Sequence, residues 1–252
     1  MNNCRTQNPC NQYLWKCLVT MACISVVGCF HSNHSITPLG NGVEGKAETL
    51  VIPALSNEAW MEEFSEDFTE VEVDAEPESL FILDGAYTVQ IDHNDQKSLR
   101  LPGSPMGDFG LLFGPRIRDK ALELRFSFFS TKMGRRMPSI AAGIGGVRGF
   151  RLRINPAARN LVLSLEEKSL HTLPFSWPGD QWWSVRFQII PKDLGNSTLV
   201  NYKLWPAQEI EPSSWLVSEK FDIEYKGGKC ALWGFPYAST PILFDNLNIL
   251  SK

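Results

Sequence analysis

Residues 121–129 read ALELRFSFF, and their alternation decides the fold. Successive side chains of a strand point to opposite faces. Leu122, Leu124, Phe126 and Phe128 therefore share one face, and Glu123, Arg125 and Ser127 share the other. A strand that is apolar on one side only belongs in an antiparallel sheet with one face on a core. The period recurs along the chain. GFRLRI (149–154) sets Phe150, Leu152 and Ile154 against Arg151 and Arg153, and NLVLSLEE (160–167) groups Leu161, Leu163 and Leu165. WSVRFQI (183–189) turns Trp183, Val185, Phe187 and Ile189 inward and Arg186 and Gln188 outward. VNYKL (200–204) and FDIEY (221–225) alternate in the same way. These short runs are separated by Gly, Pro, Asn and Asp turns, and no sustained 3.6-residue period interrupts them. The pattern predicts an all-β fold, a two-sheet antiparallel β-sandwich.

The N-terminal region reads differently. Residues 1–16 are polar, with Arg5 and Lys16 and no acid, and residues 17–27 (CLVTMACISVV) form a short apolar run. A positive segment, a short apolar segment and a small residue before a cut describe a secretory signal. The run is too short to cross a hydrocarbon core of about 30 Å. Val26-Val27-Gly28-Cys29 resembles the bacterial lipobox, although the lipobox favours Leu where Val26 stands. The resemblance implies lipidation of Cys29, which becomes the first mature residue, and Phe30 behind it disfavours inner-membrane retention. The expected organisation is a signal peptide at 1–28, a flexible tether at 29–59 and a β-sandwich domain at 60–252. The protein would then be exported and anchored to a membrane on the periplasmic or outer-membrane side, away from nucleic acid. Five of the six cysteines lie in the first 29 residues, so no disulfide framework spans the domain.

Within the domain, alternation leaves Trp182 opposite Trp183 and Trp205 opposite Leu204, so both Trp182 and Trp205 face away from the core. Flat aromatic rings with a polar edge suit sugar stacking. Residues 116–159 hold eleven Lys and Arg against Asp119 and Glu123, and Arg151 and Arg153 share an outward face. That patch suits an anionic polysaccharide, or the acidic segment 62–78 of the same chain. In PILFDNLNIL (241–250), simple alternation puts Asp245 on one face with Leu243, Leu247 and Ile249. An acid there is costly unless it is bonded or paired. No GxSxG motif is present, and His93 and His171 lie in turn-like segments, which suits surface polar roles.

The order EDF (66–68), ILDGAYTVQ (82–90), ALELRFSFF, IAAGIGGVRGFRLRI (140–154), PFSWPGDQWWSVRFQI (174–189), KLWPAQEIEPSSW (203–215) and PILFDNLNIL resembles the concanavalin A-like jelly rolls of planctomycete-type bacterial envelope lipoproteins. This group includes LamG-type domains and relatives of 3-keto-disaccharide hydrolases and of family 16 glycoside hydrolases. The resemblance covers roughly 60–250 and implies the fold; fold alone does not fix activity. It also implies a structural Ca²⁺ held by Asp245 near the last strand and by Asp67 or Glu66 near the first, calcium being a cation of oxygen ligands. Finally, it draws attention to EVDAE (72–76), which matches the Glu-x-Asp-x-Glu letters of family 16 enzymes, with Glu72 as nucleophile and Glu76 as acid. A retaining pair must stand about 5–5.5 Å apart. The segment lies early in the domain, inside a run of nine acids without Lys or Arg (62–78), and ends at Pro77. It reads as a solvated acidic loop. The residues together describe a non-catalytic envelope lipoprotein whose jelly roll binds carbohydrate or takes part in envelope contacts. The alternatives are a glycoside hydrolase and a structural protein-interaction module. No cofactor is expected beyond the possible calcium.

Overall fold

The computed structural model describes residues 59–252 apart from His93, Asn94 and Met106; the expected signal peptide, all but the last residue of the tether, and Cys29 lie outside the described residues. In chain order the strands are β1 (Met61–Glu66), β2 (Leu80–Ile82), β3 (Thr88–Ile91), β4 (Lys97–Leu101), β5 (Phe109–Ile117), β6 (Leu122–Ser130), β7 (Ser139–Ile144) and β8 (Phe150–Asn155). They continue with β9 (Asn160–Leu165), β10 (Lys168–Pro174), β11 (Trp182–Lys192), β12 (Ser197–Pro206), β13 (Val217–Phe221), β14 (Gly228–Phe235) and β15 (Ile242–Ser251). They form two antiparallel sheets. The first runs β13-β12-β11-β6-β15-β4-β3, with β1 also paired to β15, and the second runs β10-β9-β8-β7-β14-β5-β2.

The expected sandwich is the observed one. The alternating apolar faces meet between the sheets: Leu122, Leu124, Phe126 and Phe128 of β6, Val185, Phe187 and Ile189 of β11, and Phe150, Leu152 and Ile154 of β8 are all buried. Each such side chain contributes about 1.5–3 kcal/mol on burial. Trp177 meets Phe128 and Trp183 edge to face, with ring centroids 5.3 and 6.3 Å apart. Cys230, the only cysteine among the described residues, is a buried free thiol in β14, and burial raises its pKa to about 12.

Two strand readings need correction. FDIEY is not a strand. Thr198, the second residue of β12, pairs with Phe221, so the chain beyond Phe221 has run past its partner and continues as a loop. In β15, Asp245 pairs with Ser127 while Asn248 pairs with Arg125. Asn246 and Leu247 thus stand opposite the single residue Phe126, a β-bulge. Asn246 takes a left-handed conformation (φ 54°). The extra residue switches the phase: Phe244, Leu247 and Ile249 enter the core, and Asp245 leaves it to sit beside Leu243 and Asn248.

Candidate ligand-binding site

Strand pairing carries outward residues of distant sequence into rows across the first sheet. Trp205 of β12 pairs with Ser184 of β11, Ser184 with Ser127 of β6, and Ser127 with Asp245 of β15. With neighbouring strands about 4.8 Å apart, this row spans about 14 Å. Its two middle members are small, so the row forms a floor with a tryptophan at one end and a carboxyl at the other. On one side the next row is aromatic and apolar: Trp182 and Phe129, whose rings lie 5.8 Å apart, then Leu243. On the other side the next row is Lys203, Arg186, Arg125 and Asn248. An open cleft of about 380 Å³ lies over the serine floor, reaching Trp205, Arg125, Arg186 and Asn248.

The charged wall is held by one buried carboxylate. Glu123 is fully buried. Arg186 donates to both its oxygens, Nε to Oε1 at 3.0 Å and Nη2 to Oε2 at 2.7 Å. Arg125 adds a third donor and Gln188 a fourth. A bidentate guanidinium fixes geometry as well as charge. Arg186 also donates to Glu211, which in turn takes Lys203 Nζ at 2.7 Å. Trp215 closes this corner, with the Arg186 guanidinium 5.2 Å and the Lys203 ammonium 4.9 Å from its ring. Burial works against the charge of Arg186, but the bonds to Glu123 and Glu211 outweigh it and hold its pKa above the ordinary value. Burial likewise opposes the charge of Glu211, and Lys203 and Arg186 overcome it, so that its pKa is lowered.

The sequence candidates fall in four places, of which the Asp245 cavity adjoins the end of the cleft floor. Trp182 and Trp205 face outward, as alternation requires, and both border the cleft floor. Arg151 and Arg153 lie on the outer face of the second sheet, on the opposite side of the sandwich. Trp233, in the middle of β14, lies flat there over Gly110 and Gly143, where any Cβ would collide with its ring. Arg151 stacks on Trp233 at 4.1 Å and Arg153 on Phe235 at 3.9 Å. Burial lowers the pKa of both arginines, and Asp108, 3.3 Å from Arg151, opposes the shift. Among the described residues the acidic segment 62–78 reaches the basic segment 116–159 through one ion pair, Lys120–Glu63 at 3.5 Å.

EVDAE is a turn between β1 and β2, not a strand. The Ala75 amide donates to the Glu72 carbonyl at 3.2 Å, and Asp74 takes a positive φ of 67°. The single-face alignment that a strand motif needs is absent, and Glu72 and Glu76 are both solvent-exposed. Asp67 and Asp245 do line one cavity, of about 390 Å³, because β1 pairs with β15 beside the bulge. Burial, reinforced by the charges of Asp67 and Asp92 and partly offset by the Asn246 amide, raises the pKa of Asp245 to about 6. Thr69 bonds hold that of Asp67 below its ordinary value. Calcium takes about six to eight oxygens. Here the Lys97 ammonium shares the cavity, and among the described residues no group of three acidic, His or Cys side chains is placed to hold a metal ion. The donors fit calcium in kind, Asp67, Asp95 and Asp245 lining the cavity with Thr69, Gln96 and Asn246. Among the described residues no helix is long and apolar enough to cross a membrane.

No protein-family model matches the chain, and no curated protein matches it by sequence. Solved structures do match. Lectin II from Ulex europaeus aligns with a TM-score of 0.52 at 10% identity, covering 76% of this chain and 99% of that one. The Emp46p carbohydrate recognition domain aligns in its metal-free form with a TM-score of 0.52 at 10% identity, covering 77% of this chain and 98% of that one. A point mutant of the same domain aligns at 0.54 and 12% identity, with the same coverage. At such identities the likeness is one of fold. The described residues form a concanavalin A-like β-sandwich.

Proposed function

We propose that the protein is a non-catalytic carbohydrate-binding protein, that its ligand lies in the serine-floored cleft of the first sheet, and that a lipid on Cys29 holds it at the bacterial cell envelope. The observation that carries the binding reading is the row Trp205–Ser184–Ser127 beside Arg125, Arg186 and Asn248. A sugar ring needs a flat apolar platform for its C–H face and charged or amide groups for its hydroxyls, and the cleft offers both. Similar folds named as a lectin and as a carbohydrate recognition domain point the same way. The non-catalytic reading rests on the engagement of the acids around the cleft: Glu211 pairs with Arg186 and Lys203, Glu62 accepts from Asn248, Asp245 accepts from Asn246, and Glu123 is fully buried. Both its oxygens are engaged by Arg125, Arg186 and Gln188, which leaves it no position from which to exchange a proton with a ligand. The lipid anchor rests on the sequence alone.

Affinity electrophoresis of the full chain, in gels cast with neutral and with acidic polysaccharides, tests the binding reading. Retardation by at least one polymer, relieved by Trp205→Ala, is the expected result. No retardation in any gel removes the reading. Clearing of the polymer would replace it with a glycoside hydrolase.

A further inference from the structure

The largest cavity described, about 840 Å³, lies away from the serine floor, at the end of the second sheet. Four chain segments wall it: the end of β5 with Arg116 and Arg118, the β7–β8 hairpin with Arg148, the β9–β10 turn with Glu166, and the loop 222–227. The glycines let these walls meet. Gly145 has φ +105°, and a Cβ at Gly228 would strike the Gly145 backbone. Its volume lies within the range of small-molecule sites.

Its chemistry is that of an anion site. Arg116, Arg118, Arg148 and Lys226 line it, and among the described residues none of them makes an ion pair; other members of the basic segment 116–159 do, Arg125 with Glu123 and Arg151 with Asp108. The three arginines are exposed at the cavity wall, so their forks are open to a ligand. Tyr225 forms part of the cavity wall. It is 6% exposed, its ring packs 3.4 Å from where a Gly145 Cβ would stand, and its buried hydroxyl has no hydrogen-bond partner. That hydroxyl lies on the core side, near Cys230, so the ring and not the hydroxyl lines the cavity. Glu166, Asp222 and Glu224 also line it. They exclude a bare polyanion and suit a molecule that presents hydroxyls beside its negative group.

We infer that this loop-end cavity is a second binding site, specific for a sugar residue bearing a carboxylate or a sulfate. The guanidiniums of Arg116 and Arg148 take the oxyanion, since planar forks match carboxylate and sulfate oxygens. The three carboxylates accept the ring hydroxyls of the ligand. The ligand class rests on the carbohydrate reading above; the site does not depend on the cleft.

Calorimetric titration of the full chain with trigalacturonate and with a chondroitin sulfate tetrasaccharide tests it. At least one is expected to bind, and which one does separates a uronate from a sulfated sugar. Arg116→Ala/Arg148→Ala is expected to weaken that binding at least about tenfold, the scale of lost charged hydrogen bonds. Arg135→Ala/Arg136→Ala removes the same charge from an exposed turn outside the cavity and is expected to change nothing; Trp205→Ala is titrated beside it to assign the acidic ligand to the cavity or to the cleft. Binding of neither probe overturns the inference, and so does an equal loss in the two arginine pairs. Loss in Trp205→Ala alone moves the acidic ligand to the cleft and overturns the second site while leaving the first reading intact.

Discussion

Asp245 shows how one inserted residue sets a chemical property. The bulge turns its carboxyl out of the core but leaves it partly buried beside Asp67, with a pKa of about 6. An unfolded Asp titrates near about 3.9, so the folded state binds this proton more tightly. The linked stability is complete below about pH 4 and is lost as pH rises through about 6. Asp245→Asn is therefore expected to raise the melting temperature at pH 8, with a gain that shrinks towards zero near pH 4.5. Thermal unfolding across that range checks it, and a gain independent of pH would contradict it. Glu123 is the opposite case, a buried carboxylate with every partner in place. Removing one member of a buried charged cluster costs about 3 kcal/mol. Glu123→Ala should lose about that much in urea unfolding, whereas Arg135→Ala on the exposed turn should lose less than about 0.5 kcal/mol. The sequence showed Glu123, Arg125, Arg186 and Gln188 pointing outward, because side-chain phase is local. It did not show that β6 and β11 are neighbours, so the cluster and the serine floor were invisible until pairing was known.

At the scale of strands, legibility follows burial. β6, β8, β9, β11 and β12 turn an apolar face to the core and a mostly polar one away from it, so their alternation was plain in the sequence. β10 lies at a sheet edge with both faces partly exposed, and β2 is three residues long; neither carries a pattern. FDIEY carried the pattern without the strand, since alternation cannot tell where a partner ends. The β15 bulge defeated alternation for a related reason: a period of two assumes no inserted residue, and the Asp-Asn pair that marks the insertion also occurs in ordinary turns. The left-handed φ of Asn246 makes the bulge testable. Asn246→Gly should be neutral or slightly stabilising, because glycine accepts that conformation freely. Asn246→Val should cost about 1–2 kcal/mol, the penalty of a branched side chain there. Equal stability of the two variants in urea unfolding would mean that the bulge does not depend on this backbone angle.

At the scale of the whole molecule, the two candidate sites are separate constructions. The cleft lies on the outer face of the first sheet. The loop-end cavity is built from turns of the second sheet and from the loop that follows β13. The first is an aromatic and serine floor beside guanidiniums already engaged by Glu123 and Glu211; the second presents arginines without ion pairs. Their electrostatics should therefore separate under salt. Screening shortens the reach of exposed charges from about 10 Å at 0.1 M to about 3 Å at 1 M, so an acidic sugar held by Arg116 and Arg148 should lose affinity steeply. A neutral polymer stacked on Trp205 has no net charge to screen, and its retardation should hardly change. Raising sodium chloride from about 0.05 to about 0.5 M is expected to abolish binding of the acidic probe while neutral-polymer retardation persists, and saturating one ligand should leave the affinity for the other unchanged. Parallel loss of both with salt, or direct competition between them, would mean that one surface carries both activities and that the two-site reading is wrong.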